Sequence, residues 1–366
     1  MTISKNQLSE MKNVKLTDTD EANKVSLYCS NEYVSQMDIL INCRGLVFVD
    51  EKPFFQGFPF AIELNDETVY TENLDIEKCR IYQSHEGTLI RVFNINGKWY
   101  TSTNRKLNAF KSRWAAKKET FGTCFAAAIR QFFKDDEEDD EIYLNNFYTT
   151  TLNPENKYMF ILKPSEEERI VCLSDPKIIH VGTFDINNNL LPGELLEGIE
   201  SPKELNFMNI DELVSDLLTN VNVKIHQGFI AIHDDGRHFK IFHPKYQELF
   251  QVRGNVPSLR FRYLMLRKNE SQRMFFELYP EMRQIASDIE TQIFDLCVDL
   301  HKKYLEINIQ GIDQFELSQE EEQILRIIHN QYLKTRIKTT PTRINDIITY
   351  GTAPRINRLL KLFTKR

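Results

Sequence analysis

Four short segments of this chain carry side chains able to act on, or hold, a phosphate. Ser84-His85-Glu86-Gly87 follows the run Ile81-Tyr82-Gln83, and Gln227-Gly228 opens the run Phe229-Ile230-Ala231-Ile232. Lys240-Ile241-Phe242 comes shortly after Gly236, and Arg44-Gly45 stands before Leu46-Val47-Phe48. Lys240 can pair with a phosphate oxygen or be a plain surface lysine on a strand, and Arg91 or Arg105 could assist it. Gly87 would let the backbone approach a ligand closely. Arg44 falls in an apolar strand and needs an acceptor, because a half-buried guanidinium is seldom left unpaired. Ser84 offers a hydroxyl with no evident base, so it does not read as an activated nucleophile. Glu86 reads either as a metal ligand or as a solvated turn residue. His226, His233, His238 and His243 fall close together, but their spacing fits no compact zinc motif. On alternating strands they would point to different faces, and no metal site is expected.

The elements that must position these residues are short. Ile41–Val49, Thr88–Phe93, Lys98–Ser102, Tyr158–Leu162, Ile178–Phe184 and Phe229–His233 are β-branched or aromatic runs between Gly, Asn and Pro turns, and read as strands. Leu89–Phe93 and Lys98–Ser102, joined across Asn94-Ile95-Asn96-Gly97, read as a hairpin. Helices are expected at Ala115–Phe133 and Ile210–Leu218. Residues 1–40 are polar and weakly patterned. After Pro257 the pattern turns helical: Ile285, Ile289, Ile293, Leu296, Leu300 and Tyr304 recur at helical spacing. Ser318-Gln319-Glu320-Glu321 has the form of a capping box, and Thr352–Phe363 reads as a basic amphipathic helix. The fold class expected is α+β with antiparallel sheets over residues 1–255, followed by a small all-helical domain over 256–366.

Composition sets outer bounds. The chain has 366 residues, 41% hydrophobic and 27% charged, which is the balance of a globular protein with room for one large and one smaller domain. No apolar run approaches a membrane span, and the first residues have no signal-peptide core. Cys29, Cys43, Cys79, Cys124, Cys172 and Cys297 show no C-x-x-C spacing, which fits free thiols in a reducing compartment, the cytoplasm. The net charge is −7, against a nucleic-acid partner at first sight, but its distribution is uneven. The acidic run 135–141 alone accounts for the sign. Residues 105–118 hold six basic and no acidic side chains, among them Arg105, Lys106, Lys111 and Arg113, interleaved with Phe110 and Trp114. Residues 334–366 hold nine basic side chains and one acid, with Arg355, Arg358 and Lys361 three apart on one helical face. Each stretch reads either as a local phosphate-binding surface or as a solvated basic face. Phe110 and Trp114 could stack bases or belong to the core.

The order of the blocks resembles the ATP-dependent RNA ligases of the bacteriophage tRNA-repair type, within the covalent nucleotidyltransferase superfamily. Asn42-Cys43-Arg44-Gly45 resembles an Arg-Gly strand upstream of the nucleotidyl lysine, and Gly57–Asn65 the segment after it. Ser84-His85-Glu86-Gly87-Thr88 falls where a Lys-x-Asp-Gly motif belongs. Tyr158–Ile161 with Arg169-Ile170-Val171 falls where a strand bears a ribose-contacting glutamate. Gln227-Gly228 and Lys240-Ile241-Phe242 match motifs that read Glu-Gly and Lys-x-Lys. Glu86-Gly87-Thr88 with Arg105-Lys106-Leu107 also resembles ligase-like proteins of large DNA viruses. The resemblance implies a nucleotidyltransferase core, a helical RNA-specificity domain, ATP or GTP with magnesium, and RNA. It also implies that position 84 lacks the nucleophilic lysine, and that Gln227, Phe160 and Phe242 replace further functional groups.

The residues support two main readings. In the first, the protein holds a nucleotide or an RNA end through Arg44, Gly87, Arg91, Phe160 and Lys240, without forming a lysine adduct. In the second, it is a working ligase or capping-type transferase with an unconventional nucleophile or a displaced lysine, Lys78 and Lys98 being nearest in sequence. A structural subunit of a viral RNA-processing assembly in the host cytoplasm, with a protein partner on the helical tail, is a third.

Overall fold

A computed structural model describes residues 5–30, 42–72, 74–114, 119–133, 136–163, 170, 176–256, 258–312, 315–349 and 352–364. Arg169 and Val171 of the expected ribose strand, Cys172, and residues 115–118 of the basic stretch lie outside them. The chain forms two compact units, Met1–Glu248 and Leu249–Arg366.

The first unit is α+β, built on three sheets. Helix α1 (Lys5–Glu10) precedes a four-stranded antiparallel sheet of β1 (Val14–Asp20), β2 (Val25–Ser30), β3 (Leu46–Val49) and β4 (Lys52–Phe55). The first two strands were not legible as elements: β1 buries only Val14, exposes the apolar Leu16, and alternates only weakly. Arg44 lies before β3 and not inside it, because Gly45 takes φ +78°, a backbone state that interrupts an extended run.

The five-stranded sheet runs β11-β6-β12-β13-β5. Its strands are β5 (Ile62–Leu64), β6 (Cys79–Ser84), β11 (Glu204–Leu205), β12 (Gly228–His233) and β13 (His238–Phe242). It departs from the all-antiparallel expectation at one edge, where β5 runs parallel to β13. Period-two alternation splits its faces. Ile81, Phe229, Ala231, Phe239, Ile241 and Leu64 pack with Leu213, Val214 and Leu217 of the helix Ile210–Asn220, leaving the residues between them on the opposite face.

The remaining sheet is β10-β9-β7-β8, with β7 (Thr88–Ile95), β8 (Lys98–Ser102), β9 (Lys157–Lys163) and β10 (Lys177–Phe184). The expected hairpin is present, but β7 runs on to Ile95 and the turn shrinks to Asn96-Gly97, with Gly97 N–H bonded to Asn94 Oδ1 at 2.9 Å. Helices α2 (Thr68–Thr71), α3 (Phe121–Arg130), α4 (Asp140–Thr151) and α5 (Ile210–Asn220) complete the unit up to α6 (Pro244–Arg253), within which the boundary to the second unit falls. One face of the third sheet (Ile90, Val92, Tyr158, Phe160, Leu162) packs on α3 and α4, and Phe110 and Trp114 pack against the same cluster. A Cβ at Gly122 would stand 2.4 Å from the Phe110 ring. Both aromatics therefore belong to the core, and the base-stacking reading of them does not hold.

The second unit is helical: α7 (Leu259–Leu266), α8 (Gln272–Leu278), α9 (Met282–Asn308), α10 (Gln319–Thr335), α11 (Pro341–Thr349) and α12 (Ala353–Phe363). Ile289, Ile293, Leu296, Leu300 and Tyr304 of α9 enter one core with Ile324, Ile328, Ile344, Ile356 and Leu360, whereas Ile285 stays exposed. The capping box forms: Ser318 Oγ accepts from Glu321 N–H, and Glu321 Oε2 accepts from Ser318 N–H at 2.8 Å. No described helix is long and apolar enough to cross a membrane. The described cysteines, Cys29, Cys43, Cys79, Cys124 and Cys297, form no disulfide with one another.

Candidate functional site

The free face of the five-stranded sheet floors a cavity of about 500 Å³. Register places three rows across that floor. Ser84 stands beside Gly228 and Phe242; Tyr82 stands in line with Ile230, Lys240 and Glu63; Arg80 stands in line with Ile232 and His238. The opposite wall comes from the third sheet and the segment after β10: Leu89, Ile161, His180 and Leu191. Arg44 and Phe60 close another side.

Ser84 is 3% exposed, and its Oγ donates to Gln227 Oε1 at 3.3 Å. Gln227 Nε2 in turn donates to the Tyr246 hydroxyl at 2.6 Å. An amide oxygen cannot take a proton, so this chain holds Ser84 without activating it. His85 does not serve as its base. The imidazole stacks edge-on against His226 at 4.8 Å, and neither ring nitrogen has a hydrogen-bond partner among the described residues.

Lys240 is the one lysine lining the cavity among the described residues. It is half-buried, sits over the Phe242 ring at 4.9 Å, and makes no hydrogen bond or ion pair among the described residues. Burial pushes its pKa down to about 8; Glu63 and Glu86 favour the charged form, and Arg44 opposes it. Arg44 finds the acceptor it needs in Pro59 O at 3.3 Å and lies over Phe60 at 5.2 Å. Burial lowers its pKa as well. The imidazoles at the cavity are held neutral by burial: His85 is pushed down to about 3, His180 and His238 to about 4. Ser201 Oγ, also at the cavity, has no partner among the described residues. One side of the site holds Arg44 and Lys240, the latter beside Glu63 in register, and another presents neutral, unpartnered polar atoms among apolar side chains.

The structure thus brings Arg44, Ser84, Gly87 and Lys240 to one cavity and leaves other expected residues out. Arg91 is fully buried, and its guanidinium donates to Gly45 O, to Thr103 O at 2.7 Å and to Ser102 Oγ at 3.0 Å. It ties β7 to two loops and cannot reach a ligand. Phe160 faces the other side of β9, fully buried against Phe125 at 5.3 Å. Strand parity gives its neighbour Ile161 to the cavity. Gly87 lines the cavity, but its missing Cβ makes room for β9, since a Cβ there would lie 2.4 Å from Ile161 Cγ2 and 2.6 Å from Leu162 O. Gln227 and Glu86 are absent from the lining, Gln227 acting only through Ser84. Lys78 pairs with Asp75 at 2.8 Å and Lys98 with Asp20 at 2.7 Å, both away from the cavity, so neither replaces a lysine at position 84. Lys157 is buried and donates to Asp185 O, Ile186 O and Asn188 Oδ1, a structural role.

Residues missed from sequence are Arg80, Tyr82, Glu63, His85 and His180. Stepping by two from Ser84 reaches Tyr82 and Arg80, a signal present in the chain; the contribution of His180 depends on the facing sheet. His233 pairs with Asp235 at 2.9 Å. Among the described residues no group of three or more His, Cys, Asp or Glu side chains is arranged to hold a metal ion.

The basic stretches are partly occupied. Lys106 lies 3.8 Å from Asp18, and Lys111 borders a second hollow shared with Asp18, Asp20, Glu21 and Glu141. Arg105 and Arg113 are exposed. Arg358 donates to Glu320 at 2.8 Å and Arg355 to Gln323 at 3.4 Å, while Lys361 is exposed.

No family model matches the sequence. The chain is 27% identical over 382 residues to an immediate-early protein ICP-46 homolog of Invertebrate iridescent virus 6, covering 95% of this chain and 83% of the relative. It is 27% identical over 259 residues to immediate-early protein ICP-46 of Frog virus 3, covering 68% of this chain and 64% of that protein. Among solved structures, an Aquifex aeolicus protein assigned as an ATP-dependent DNA ligase superposes with a TM-score of 0.45 at 13% identity, over 90% of this chain and 79% of its own. An archaeal ATP-dependent RNA ligase superposes with a TM-score of 0.42 at 10% identity, over 94% and 95%.

Proposed function

We propose that this protein binds a nucleotide, free or at the end of an RNA, and does so without forming a covalent nucleotidyl adduct at position 84. The observation that carries this reading is a cavity of nucleotide size whose nucleophile position is filled by Ser84, hydrogen-bonded to a neutral amide. The residues present fit a nucleotide. Arg44 and Lys240 supply positive charge for phosphates. His85 and Ser201 offer buried polar atoms whose unmet hydrogen bonds favour a ligand with donors and acceptors of its own. Bound ATP or GTP with magnesium would supply phosphates to be held; the cavity residues bind and orient them. Exposed basic side chains are available to RNA on each unit taken by itself: Arg105, Lys111 and Arg113 on the first, and Lys361 on the second.

The test is ligand-induced stabilisation. ATP, GTP or a cap analogue that binds only the folded form raises the melting temperature. Lys240→Ala is expected to remove that rise; a variant that responds like the parent would place the ligand elsewhere. One observation favours a second reading. Lys240 is an amine with a pKa of about 8 inside the cavity, so if an adduct forms it forms there, and Lys240→Ala removes it.

A further inference from the structure

The cavity holds a cation that this reading leaves unused. Arg80 lies on the same face of β6 as Tyr82 and Ser84, over the Tyr82 ring at 5.4 Å, and lines the cavity. Its fork is filled by one carboxylate: Nε donates to Glu204 Oε1 at 3.0 Å and Nη2 to Oε2 at 2.7 Å. Both side chains stay about two-fifths exposed, at 40% and 42%. Glu204 also lines the cavity, on β11, whose two residues pair only with Tyr82 and Ile81 at the sheet edge.

A carboxylate and a phosphate fit the same planar fork, so the two compete for it. A half-exposed ion pair adds little to stability and is readily exchanged. Arg80 is also well placed relative to Lys240. The two residues lie two strands and one row apart on the floor, so their Cα atoms are about 12 Å apart at ordinary strand spacings. That separation suits two phosphates of one chain. The segment between β10 and β11 carries no helix and forms a side of the cavity through Leu191 and Ser201. It is tied back by Glu200 O to His180 N–H at 2.8 Å and by Lys203 O to Gln83 N–H at 3.1 Å.

We propose that Arg80 is a phosphate ligand held in reserve by Glu204, and that the distal phosphates of a nucleoside polyphosphate displace the carboxylate. This rests on the nucleotide reading above and adds the class of ligand: polyphosphates are favoured over monophosphates.

The experiment measures dissociation constants for ATP and AMP with the full chain, as the parent and as Glu204→Gln, Arg80→Ala and the double variant. Glu204→Gln keeps the side-chain shape and removes the competing charge, so ATP is expected to bind about three- to tenfold more tightly, with AMP little changed. Arg80→Ala is expected to bring ATP down toward the affinity for AMP, and Glu204→Gln adds nothing in that background. A gain that survives Arg80→Ala, or that is equal for ATP and AMP, reports bulk charge and overturns the proposal. Unchanged ATP binding in all three variants overturns it as well, leaving the nucleotide site intact. Absence of ATP binding in the parent and every variant overturns both readings. Ligand-free melting curves separate a binding loss from unfolding.

Discussion

Ser84 and Lys240 each make a checkable statement. Introducing Ser84→Lys puts an ammonium at a site that is 3% exposed, facing Gln227 with no carboxylate in hydrogen-bond contact. Its expected outcome is lower stability and no labelled adduct with α-labelled ATP; a labelled band stable to base would contradict this. In the proposed nucleotide site, Lys240 would hold phosphate only when charged. With a pKa of about 8 in the free protein it is mostly protonated at neutral pH and loses its proton as pH rises through about 8, well below an ordinary lysine. Calorimetric affinity for ATP is therefore expected to fall as pH rises from about 6.5 to about 9.5, and to stay flat in Lys240→Arg, because arginine keeps its charge. Flat behaviour in the parent would remove Lys240 from the phosphate site. Ser84, Arg44 and Lys240 were legible because motif order puts them near one another. Arg91 was not, since nothing local to Arg91 shows that Gly45 O and Thr103 O close over it.

Parity and capping decide the elements. The run Tyr158–Leu162 was readable as a strand, but which of its side chains meets the cavity was not, because α3 covers one face and the facing sheet the other. Phe160 went to the helix side and Ile161 to the cavity. Helix starts were more legible. Ser318 and Glu321 form their reciprocal cap, and Glu321 also accepts from Lys303 Nζ at 2.8 Å, a lysine whose side chain is only 8% exposed. Lys303 also pairs with Asp299, so Glu321→Ala leaves the buried ammonium one carboxylate and removes a charge-assisted bond and the cap; it is expected to destabilise the helical unit by about 2 kcal/mol in urea denaturation. Glu320→Ala, which removes only the more exposed ion pair with Arg358, is expected to cost under about 1 kcal/mol. Equal costs would mean that neither the reciprocal cap nor the contact with Lys303 contributes more than an exposed ion pair.

The whole molecule carries net charge −7, and within its basic stretches Lys106 and Arg358 stand beside Asp18 and Glu320. Sequence showed where the basic residues cluster, but not that Asp18 and Glu320 would partly neutralise them, because those ion pairs join distant segments. Removing everything after Gln331 is a poor probe of RNA binding, since Ile344, Ile348, Ile356, Leu359 and Leu360 form part of the helical core. Charge reversal at Lys111, Arg113 and Lys361 is the cleaner test. It is expected to flatten the salt dependence of single-stranded RNA binding by about 0.7 in logarithmic slope for each phosphate no longer neutralised. An unchanged slope would leave those side chains for a protein partner.

Intact-mass spectrometry of the protein mixed with ATP and magnesium, recorded once under native and once under denaturing conditions, separates a held nucleotide from a covalently attached one. The expected result is a complex bearing one nucleotide in the native spectrum and the mass of the bare chain after denaturation. A nucleotidyl group that stays on the denatured chain, or a native spectrum with no bound nucleotide at saturating ATP, would contradict it.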